Sequence, residues 1–173
     1  GVGAVVAHFI VDSVKGCTPL LVHFSDSSTS DVPIASYQWD FGDSTTGTGA
    51  NPVHTYAIGG TFTVHLVIVN ADGCTDSTTF SSIQVGLKLN PSFTANPLVQ
   101  CVDQTINFTN NTTGNITPQT HWLWEFGDGQ TSTLFEPSHA YSDTGTYDIT
   151  LTVINQGCSN DTVRLQYILI VVP

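Results

Sequence analysis

The sequence predicts an all-β chain made of two tandem β-sandwiches of about seven strands each. Three observations lead there: the chain repeats itself, each copy alternates short apolar segments with turn residues, and the apolar residues are β-branched or aromatic. Hydrophobic residues make up 40% of the 173 positions, and Met is absent. This composition is typical of strands. The repeat divides the chain into domains 1–86 and 87–173, joined near "GLKLNP".

The two copies align along their whole length at a shift of 84 or 85 residues. Matching pairs are Phe9 with Phe93, Cys17 with Cys101, Phe24 with Phe108, Trp39 with Trp124, Tyr56 with Tyr141, Gly60 with Gly145, Asn70 with Asn155, and Cys74 with Cys158. The chain stops on "IVVP", where the first copy runs into its linker. We therefore treat it as a piece of a longer precursor and expect a further domain to follow.

Alternation of apolar and polar residues predicts antiparallel strands with one face in a core. In "TFTVHLVIVN" the inward set runs from Phe62 to Ile68, and in the second copy from Tyr147 to Val153. An earlier strand places Trp39, or Trp124 in the second copy, between two other aromatic residues on one face. A buried Trp on a central strand predicts a sandwich of the immunoglobulin type.

The segment "DTGTYDI", residues 143 to 149, predicts a tyrosine corner at Tyr147. Phe62 takes that position in the first copy. Because Phe62 has no hydroxyl, we expect it to stabilise this corner by packing alone.

Charge excludes two classes of partner. Fourteen acids against three bases give a net charge of −11, whereas nucleic acids and anionic membranes bind clustered Lys and Arg. The longest apolar run, "YILIVV", has the length of a strand and falls short of the roughly 20 residues of a membrane span. The sequence predicts no membrane insertion in this fragment.

The cysteines have equal spacing in the two copies: Cys17 and Cys74 are 57 residues apart, as are Cys101 and Cys158. This favours one disulfide inside each domain over a cross-link between domains. A zinc site is the competing use, but it would want paired ligands at short spacing, and no CxxC occurs. Disulfides imply an oxidising compartment: periplasm, cell surface or secreted.

Paired acids at the end of the Trp strand are candidates for chemistry. Asp40 and Asp43, with Glu125 and Asp128 as counterparts, could act as catalytic carboxylates or as calcium ligands. Catalysis would need a concave site that so small a domain lacks. Calcium is the one cofactor that the pattern permits, yet the spacing matches no EF-hand loop. The interpretation that needs no ligand is a strand ending in a tight turn at a glycine.

His54 and His139 precede an aromatic residue at a passage from turn to strand. A nucleophile for them is not repeated, because Gly129 replaces Ser44 in the second copy. The sequence therefore predicts a structural role, with a hydrogen bond across the loop to the Asp-rich turn, and no enzyme.

Three motifs in order, "WDFGDS", "NPVHTY" and "GTFTVHLVIVNADGC", with "WEFGDGQTS", "EPSHAY" and "GTYDITLTVINQGC" in the second copy, resemble the polycystic kidney disease (PKD) domain family over nearly the whole chain. The resemblance implies an immunoglobulin-like sandwich without catalytic residues. Its fold motif maps onto Trp39, Gly42, Asp43, His54, Tyr56, Trp124, Gly127, Asp128, His139 and Tyr141. The chain departs from the family pattern at Ser44, usually Gly, and at Glu125, usually Asp.

The resemblance also implies a function. Members of this family are extracellular modules, and the added "GC" resembles the variant in very long surface proteins of gliding, polymer-degrading bacteria. We expect a non-catalytic spacer or adhesive repeat of a surface protein or surface fibre, with neighbouring repeats, other surface proteins or an extracellular polymer as partners. The alternative is a polymer-binding accessory domain of a secreted hydrolase, which would expose aromatic residues; Trp122, Phe135 and Tyr167 are the candidates.

Bacteria with such proteins attach O-glycans at Asp-Ser or Asp-Thr followed by a small or apolar residue. The resemblance therefore implies candidate glycosylation sites at Ser13, Ser27, Ser44, Ser77, Thr144 and Thr162.

Overall fold

The computed structural model describes residues 3–173, with every side chain in that range except that of Ser81. The chain forms two compact units, Gly1–Gly86 and Leu87–Pro173. The secondary structure of both units, over the described residues, consists of β-strands. That range holds no helix with the length and apolarity that crossing a membrane requires.

Unit 1 is a sandwich of two main sheets. Its strands are β1 (Val5–Val6), β2 (Phe9–Val11), β3 (Lys15–Cys17), β4 (Leu20–Asp26), β5 (Thr29–Ser30), β6 (Ile34–Asp40), β7 (Thr46–Thr48), β8 (Val53–Tyr56), β9 (Gly60–Asn70) and β10 (Thr75–Gly86). One sheet has the order β3-β10-β9-β6-β7 and the other β2-β4-β8, while β1 and β5 form a separate short pair.

Unit 2 repeats the two main sheets. Its strands are β11 (Phe93–Asn96), β12 (Val99–Cys101), β13 (Thr105–Asn110), β14 (Thr120–Glu125), β15 (Thr131–Ser132), β16 (Ser138–Ala140), β17 (Gly145–Asn155) and β18 (Cys158–Val171). The sheets have the orders β12-β18-β17-β14-β15 and β11-β13-β16. The predicted fold class, two tandem immunoglobulin-like sandwiches, is confirmed.

Both units have more strands than the predicted seven, because one edge strand of each unit divides between the two sheets and unit 1 adds the short β1–β5 pair. β2 pairs antiparallel with β4, whereas β3, a few residues on, pairs parallel with β10. β11 and β12 divide between the two sheets of unit 2 in the same way. One long edge strand thus becomes two short ones, and a parallel pairing appears that alternation of residues does not predict.

Each core is filled by the inward residues that the alternation predicts. In unit 1 the Trp39 ring meets Phe9 at 5.0 Å and Phe24 at 5.5 Å between centroids. Its indole N–H donates to the Gly49 carbonyl at 2.8 Å, which satisfies the one polar atom of the side chain. Trp124 repeats the bond to Leu134 at 2.9 Å. The buried side chains of the long strands are Phe62, Val64, Leu66 and Ile68 in unit 1, and Ile149, Leu151 and Val153 in unit 2.

The aromatic residue at the start of the penultimate strand differs between the units. The Tyr147 hydroxyl donates to the Asp143 carbonyl at 2.9 Å, which is the tyrosine-corner bond. Both aromatic rings also stack on a tyrosine, Phe62 on Tyr56 at 4.6 Å and Tyr147 on Tyr141 at 4.1 Å between ring centroids, but Phe62 has no hydroxyl. The first unit therefore holds this corner by packing alone.

The chain enters each unit at one end and leaves it at the other. At the leading end of unit 1, the Asn70 side chain donates to the Gly3 carbonyl at 3.0 Å; the trailing end is Gly86, at the far end of the 12-residue strand β10. In unit 2 the Leu87 N–H donates to the Asn155 side chain at 3.1 Å, and the 14-residue strand β18 runs from Cys158 to the trailing end at Val171.

The same geometry overturns the predicted disulfide pairs. Cys17 lies beside Gly86 in register, at the trailing end, whereas Cys74 precedes β10 at the leading end. A strand of that length separates them by roughly 35–40 Å, against the ~4.4–6.8 Å between Cα atoms that a disulfide allows.

Unit 2 repeats this separation, since Cys101 lies beside Val171 and Cys158 begins β18. Cys74 and Cys101 carry free thiols, so the pairing within each domain is wrong. The expectation of disulfide chemistry is confirmed, because Cys17 and Cys158 are disulfide-bonded.

Candidate functional site

The acidic turn after the Trp strand lies directly on the neighbouring strand. Gly42 has φ of 83°, and a Cβ there would overlap the carbonyl oxygen of Thr63 on β9. Gly127 has φ of 82°, and its Cβ would lie 2.6 Å from the Asp148 carbonyl oxygen on β17. Both the backbone angle and the close approach require glycine.

The aspartate after each glycine uses both carboxylate oxygens within the fold. Asp43 accepts the Thr45 N–H at 3.1 Å through one oxygen and meets His54 Nε2 at 2.7 Å through the other. Asp128 accepts the Gln130 N–H at 3.0 Å and meets His139 Nε2 at 2.7 Å. The carboxylates thus brace the turn.

Two opposed effects act on the pKa of Asp43. Burial raises the pKa, while hydrogen bonds from the Thr45 hydroxyl and N–H and from His54, together with the His54 charge, lower it. The net pKa lies below the ordinary value of 3.8. The turn therefore holds a carboxylate rather than a neutral acid at neutral pH.

The histidine is held between two aromatic rings. His54 stacks on Phe41 with 4.2 Å between centroids and 2° between planes, and meets Tyr56 edge-on at 4.6 Å. His139 repeats this with Phe126 at 4.2 Å and Tyr141 at 4.5 Å. The His54 and His139 side chains are only 14% and 8% exposed. Each imidazole is thus held in place by two aromatic side chains.

A buried tyrosine contacts the histidine in each unit. The Tyr56 hydroxyl donates to the Phe41 carbonyl at 2.9 Å, and Tyr141 donates to Phe126 at 3.0 Å. Burial raises the pKa of both hydroxyls, with nearby Asp43 and Asp128 adding to the effect. We call this set of turn Asp, His, Phe and Tyr the turn lock; it is Asp43, His54, Phe41 and Tyr56 in unit 1, and Asp128, His139, Phe126 and Tyr141 in unit 2.

The other acids of the two turns do not converge on these groups. Asp40 is exposed and accepts the Gly42 N–H at 2.8 Å, and Glu125 is exposed at the end of β14. Within residues 3–173 no cluster of three or more His, Cys, Asp or Glu side chains is arranged to hold a metal ion. The contacts observed in each turn join the Asp of the turn to the His near the next strand.

A second pair of polar residues escaped the sequence interpretation. Asn70 and Asn155 are buried, and each binds the segment that enters its own unit. Asn70 also accepts the N–H groups of Asp72 and Cys74. The sequence does show that the two asparagines align in the repeat. It does not show their role, because no nearby residue identifies the incoming chain as their hydrogen-bond partner.

The remaining candidate residues lie on the surface or near it. Ser27, Ser44, Ser77 and Thr144 are exposed, and Ser13 and Thr162 are partly buried. Among the aromatic candidates Trp122 and Tyr167 pack partly against the core, and Phe135 is 47% exposed. The Trp122 and Phe135 rings meet at 72°, so they do not form a flat platform.

Two tandem sandwiches, each closed by its own turn lock, define a protein of repeated immunoglobulin-like modules. The sequence pattern of the PKD domain matches residues 5–85 and 90–168. The chain belongs to the PKD domain family.

Two curated relatives are similar over part of one copy. Collagenase ColA of Bacillus cereus is 41% identical over 51 residues, which is 30% of this chain and 5% of the collagenase. The pre-pro-metalloprotease PrtV of Vibrio cholerae is 41% identical over 56 residues, or 32% of this chain and 6% of PrtV. The chain therefore matches only a small part of the length of either relative.

Among solved structures, murine CEACAM1b has a similar fold, with a TM-score of 0.61 over 97% of this chain and all of that one, at 9% identity. At that identity the likeness concerns the fold alone.

Proposed function

We propose that this chain is a non-catalytic extracellular spacer, a pair of adhesive or structural repeats within a longer surface protein. The observation that carries the proposal is the position of the leading and trailing ends. In each unit they lie at opposite ends of the longest strand, so each module advances the chain by roughly 35–40 Å.

The leading segment is held firmly, as a spacer requires. Asn70 and Asn155 are 1% and 3% exposed, and their amides bind the backbone of Gly3 and Leu87. Buried amides that lose such partners cost free energy, so these bonds resist detachment of the incoming chain. A load applied along the array would meet this contact at the leading end of each module.

Two observations support an extracellular location. The cysteine chemistry fits an oxidising compartment, because Cys17 and Cys158 are disulfide-bonded. The relatives named above include a collagenase and a pre-pro-metalloprotease, in which a similar segment is a small part of the whole. We place the chain at the cell surface, with neighbouring copies of the module as its first partners.

The spacer function is tested by measuring the height of the protein above a surface. The chain, and a version with its 173 residues written twice, are attached by a C-terminal tag to a supported bilayer, and layer thickness is measured by neutron reflectometry. We expect the second copy to add roughly 70–80 Å, from two modules of ~35–40 Å. An increment below ~40 Å would rule out the spacer.

A second function, polymer binding, is favoured by one surface. Leu134 and Phe135 are 64% and 47% exposed, beside a shallow groove lined by His121, Trp122 and Leu123. Exposed apolar groups next to a groove are typical of binding surfaces. The ligand on this alternative is an extracellular carbohydrate or collagen.

Retention on insoluble chitin, cellulose and collagen tests the alternative. If polymer binding is the function, Phe135→Ala will lower retention at least fivefold. Leu165→Ala, which removes an even more exposed apolar side chain from β18 of the same unit, will not. Equal retention of both variants, or none by the unaltered chain, leaves the spacer as the function.

A further inference from the structure

Two free thiols lie at module ends. Cys74 is at the leading end of unit 1, where its N–H donates to the Asn70 side chain at 2.9 Å. Cys101 is at the trailing end of unit 2, in register with Val171. Both are partly exposed. Each lies where a further copy of the module would be joined to this chain.

The internal repeat shows what these positions do. The counterpart of Cys74 is Cys158, and the counterpart of Cys101 is Cys17. Both counterparts are disulfide-bonded. Each of the two positions, leading and trailing, therefore forms a disulfide in one copy of the module and carries a free thiol in the other.

Neither free thiol has a partner available within its own module. The leading and trailing cysteines of one unit are separated by the whole of β10 or β18, roughly 35–40 Å. A disulfide needs Cα atoms within about 7 Å. The partner of each thiol must come from outside its module.

We propose that Cys74 and Cys101 form disulfides with further copies of this module: Cys74 with the trailing cysteine of a preceding copy, and Cys101 with the leading cysteine of a following one. In a serial array the trailing end of one copy meets the leading end of the next, so like ends do not meet. The inference extends the proposed spacer function by naming its partner and a covalent bond at each junction.

Bond formation needs an oxidant, which is a small-molecule disulfide or a disulfide-bonded oxidoreductase. One thiolate attacks the oxidant's disulfide and releases one of its sulfurs as a thiol; the partner thiolate then attacks the mixed disulfide and releases the other. The two cysteines lose two electrons and two protons, and the oxidant becomes two thiols.

The test uses complementary full-length chains. A Cys74→Ser chain keeps Cys101, and a Cys101→Ser chain, labelled with ¹⁵N, keeps Cys74. Equal amounts are mixed in oxidised and reduced glutathione and read by non-reducing electrophoresis and intact mass. We expect mixed dimers to exceed each symmetric dimer at least tenfold, with Cys74–Cys101 as the linked peptide.

Random pairing would give only a twofold excess of the mixed dimer, and that ratio, or the absence of dimers, would overturn the proposal. The control is a chain with Thr46→Cys in the Cys74→Ser, Cys101→Ser background. Its thiol is exposed and lies on the edge strand β7. Mixed with either partner it should pair without preference. Layer thickness is measured without an oxidant, so failure here leaves the spacer test unaffected.

Discussion

The imidazole of His54 lies flat on the ring of Phe41, with 4.2 Å between centroids and 2° between planes, while its Nε2 meets the Asp43 carboxylate at 2.7 Å. Stacking and hydrogen bonding thus join three parts of the chain: the end of a strand, a turn and the start of β8. We expect this joint to contribute measurably to the stability of unit 1.

His54→Ala removes both the stack and the hydrogen bond, and should lower the free energy of unfolding of unit 1 by about 2 kcal/mol. His54→Phe keeps a ring over Phe41 and should cost about half of that. Urea unfolding followed by the NMR signal of the Trp39 indole reports on this unit alone. His8→Ala, at an exposed histidine, is the control and should change the value by less than ~0.5 kcal/mol. Equal losses for Ala and Phe would assign the whole effect to the hydrogen bond.

Acid should weaken unit 1 through Asp43. The folded pKa of this carboxyl lies below 3.8, so its contribution to stability is present above that value and is lost as pH falls through the folded pKa. Urea midpoints between pH 5 and pH 2 should decline most below pH 4. Asp43→Asn should flatten that decline, whereas Asp40→Asn, in the same turn, should keep it. An unchanged slope in Asp43→Asn would remove Asp43 as the source.

Alkali should weaken the same unit through Tyr56. Burial holds the pKa of its hydroxyl above the ordinary 10.0, so the folded state keeps a proton that the unfolded state releases. The resulting stability is complete below pH 10 and is lost as pH rises from 10 toward the folded pKa.

Tyr56→Phe should show a smaller alkaline loss, since only Tyr37, whose pKa burial and Asp26 also raise, still contributes in this unit. At neutral pH it should cost about 1–3 kcal/mol, because the buried Phe41 carbonyl loses its donor. Unfolding midpoints of both proteins at pH 7 and at pH 10 to 11 provide the measurement. A parallel alkaline decline in the two proteins would contradict the assignment.

Much of the fold could be predicted because the sequence contains two copies of the same module. The alternation from Phe62 to Ile68 and the Trp of each copy determine which faces are buried, and comparison of the copies separates fixed residues from variable ones. Ser44 against Gly129 excluded a nucleophile in this way. The PKD family assignment followed from the same fixed positions.

Cysteine pairing could not be obtained from spacing, for a physical reason. Any faithful repeat places its cysteines at equal intervals, whether they bond within a module or to a neighbour, so the shared interval of 57 residues carries no information on the partner. The pairing is decided by the length of β10 and β18, because each of these strands separates the leading and trailing cysteines of its unit. The role of Asn70 could not be predicted either, because its hydrogen-bond partner Gly3 is 67 residues away in the sequence.

Gly42 offers the most selective test of the turn lock, because the chain contains a matched control. Gly42 and Gly49 have φ of 83° and 89°, so alanine pays a similar backbone penalty of roughly 1–2 kcal/mol at each. At Gly49 nothing lies within 4 Å of the new Cβ, whereas at Gly42 it overlaps the Thr63 carbonyl.

Gly42→Ala should therefore cost at least ~2 kcal/mol more than Gly49→Ala, since the turn must move off β9 and pull Asp43 from His54. The NMR shift of the His54 ring should change in the first variant alone. Equal losses in the two variants would mean that the turn relaxes without strain, and that the contact with Thr63 does not hold the lock in place.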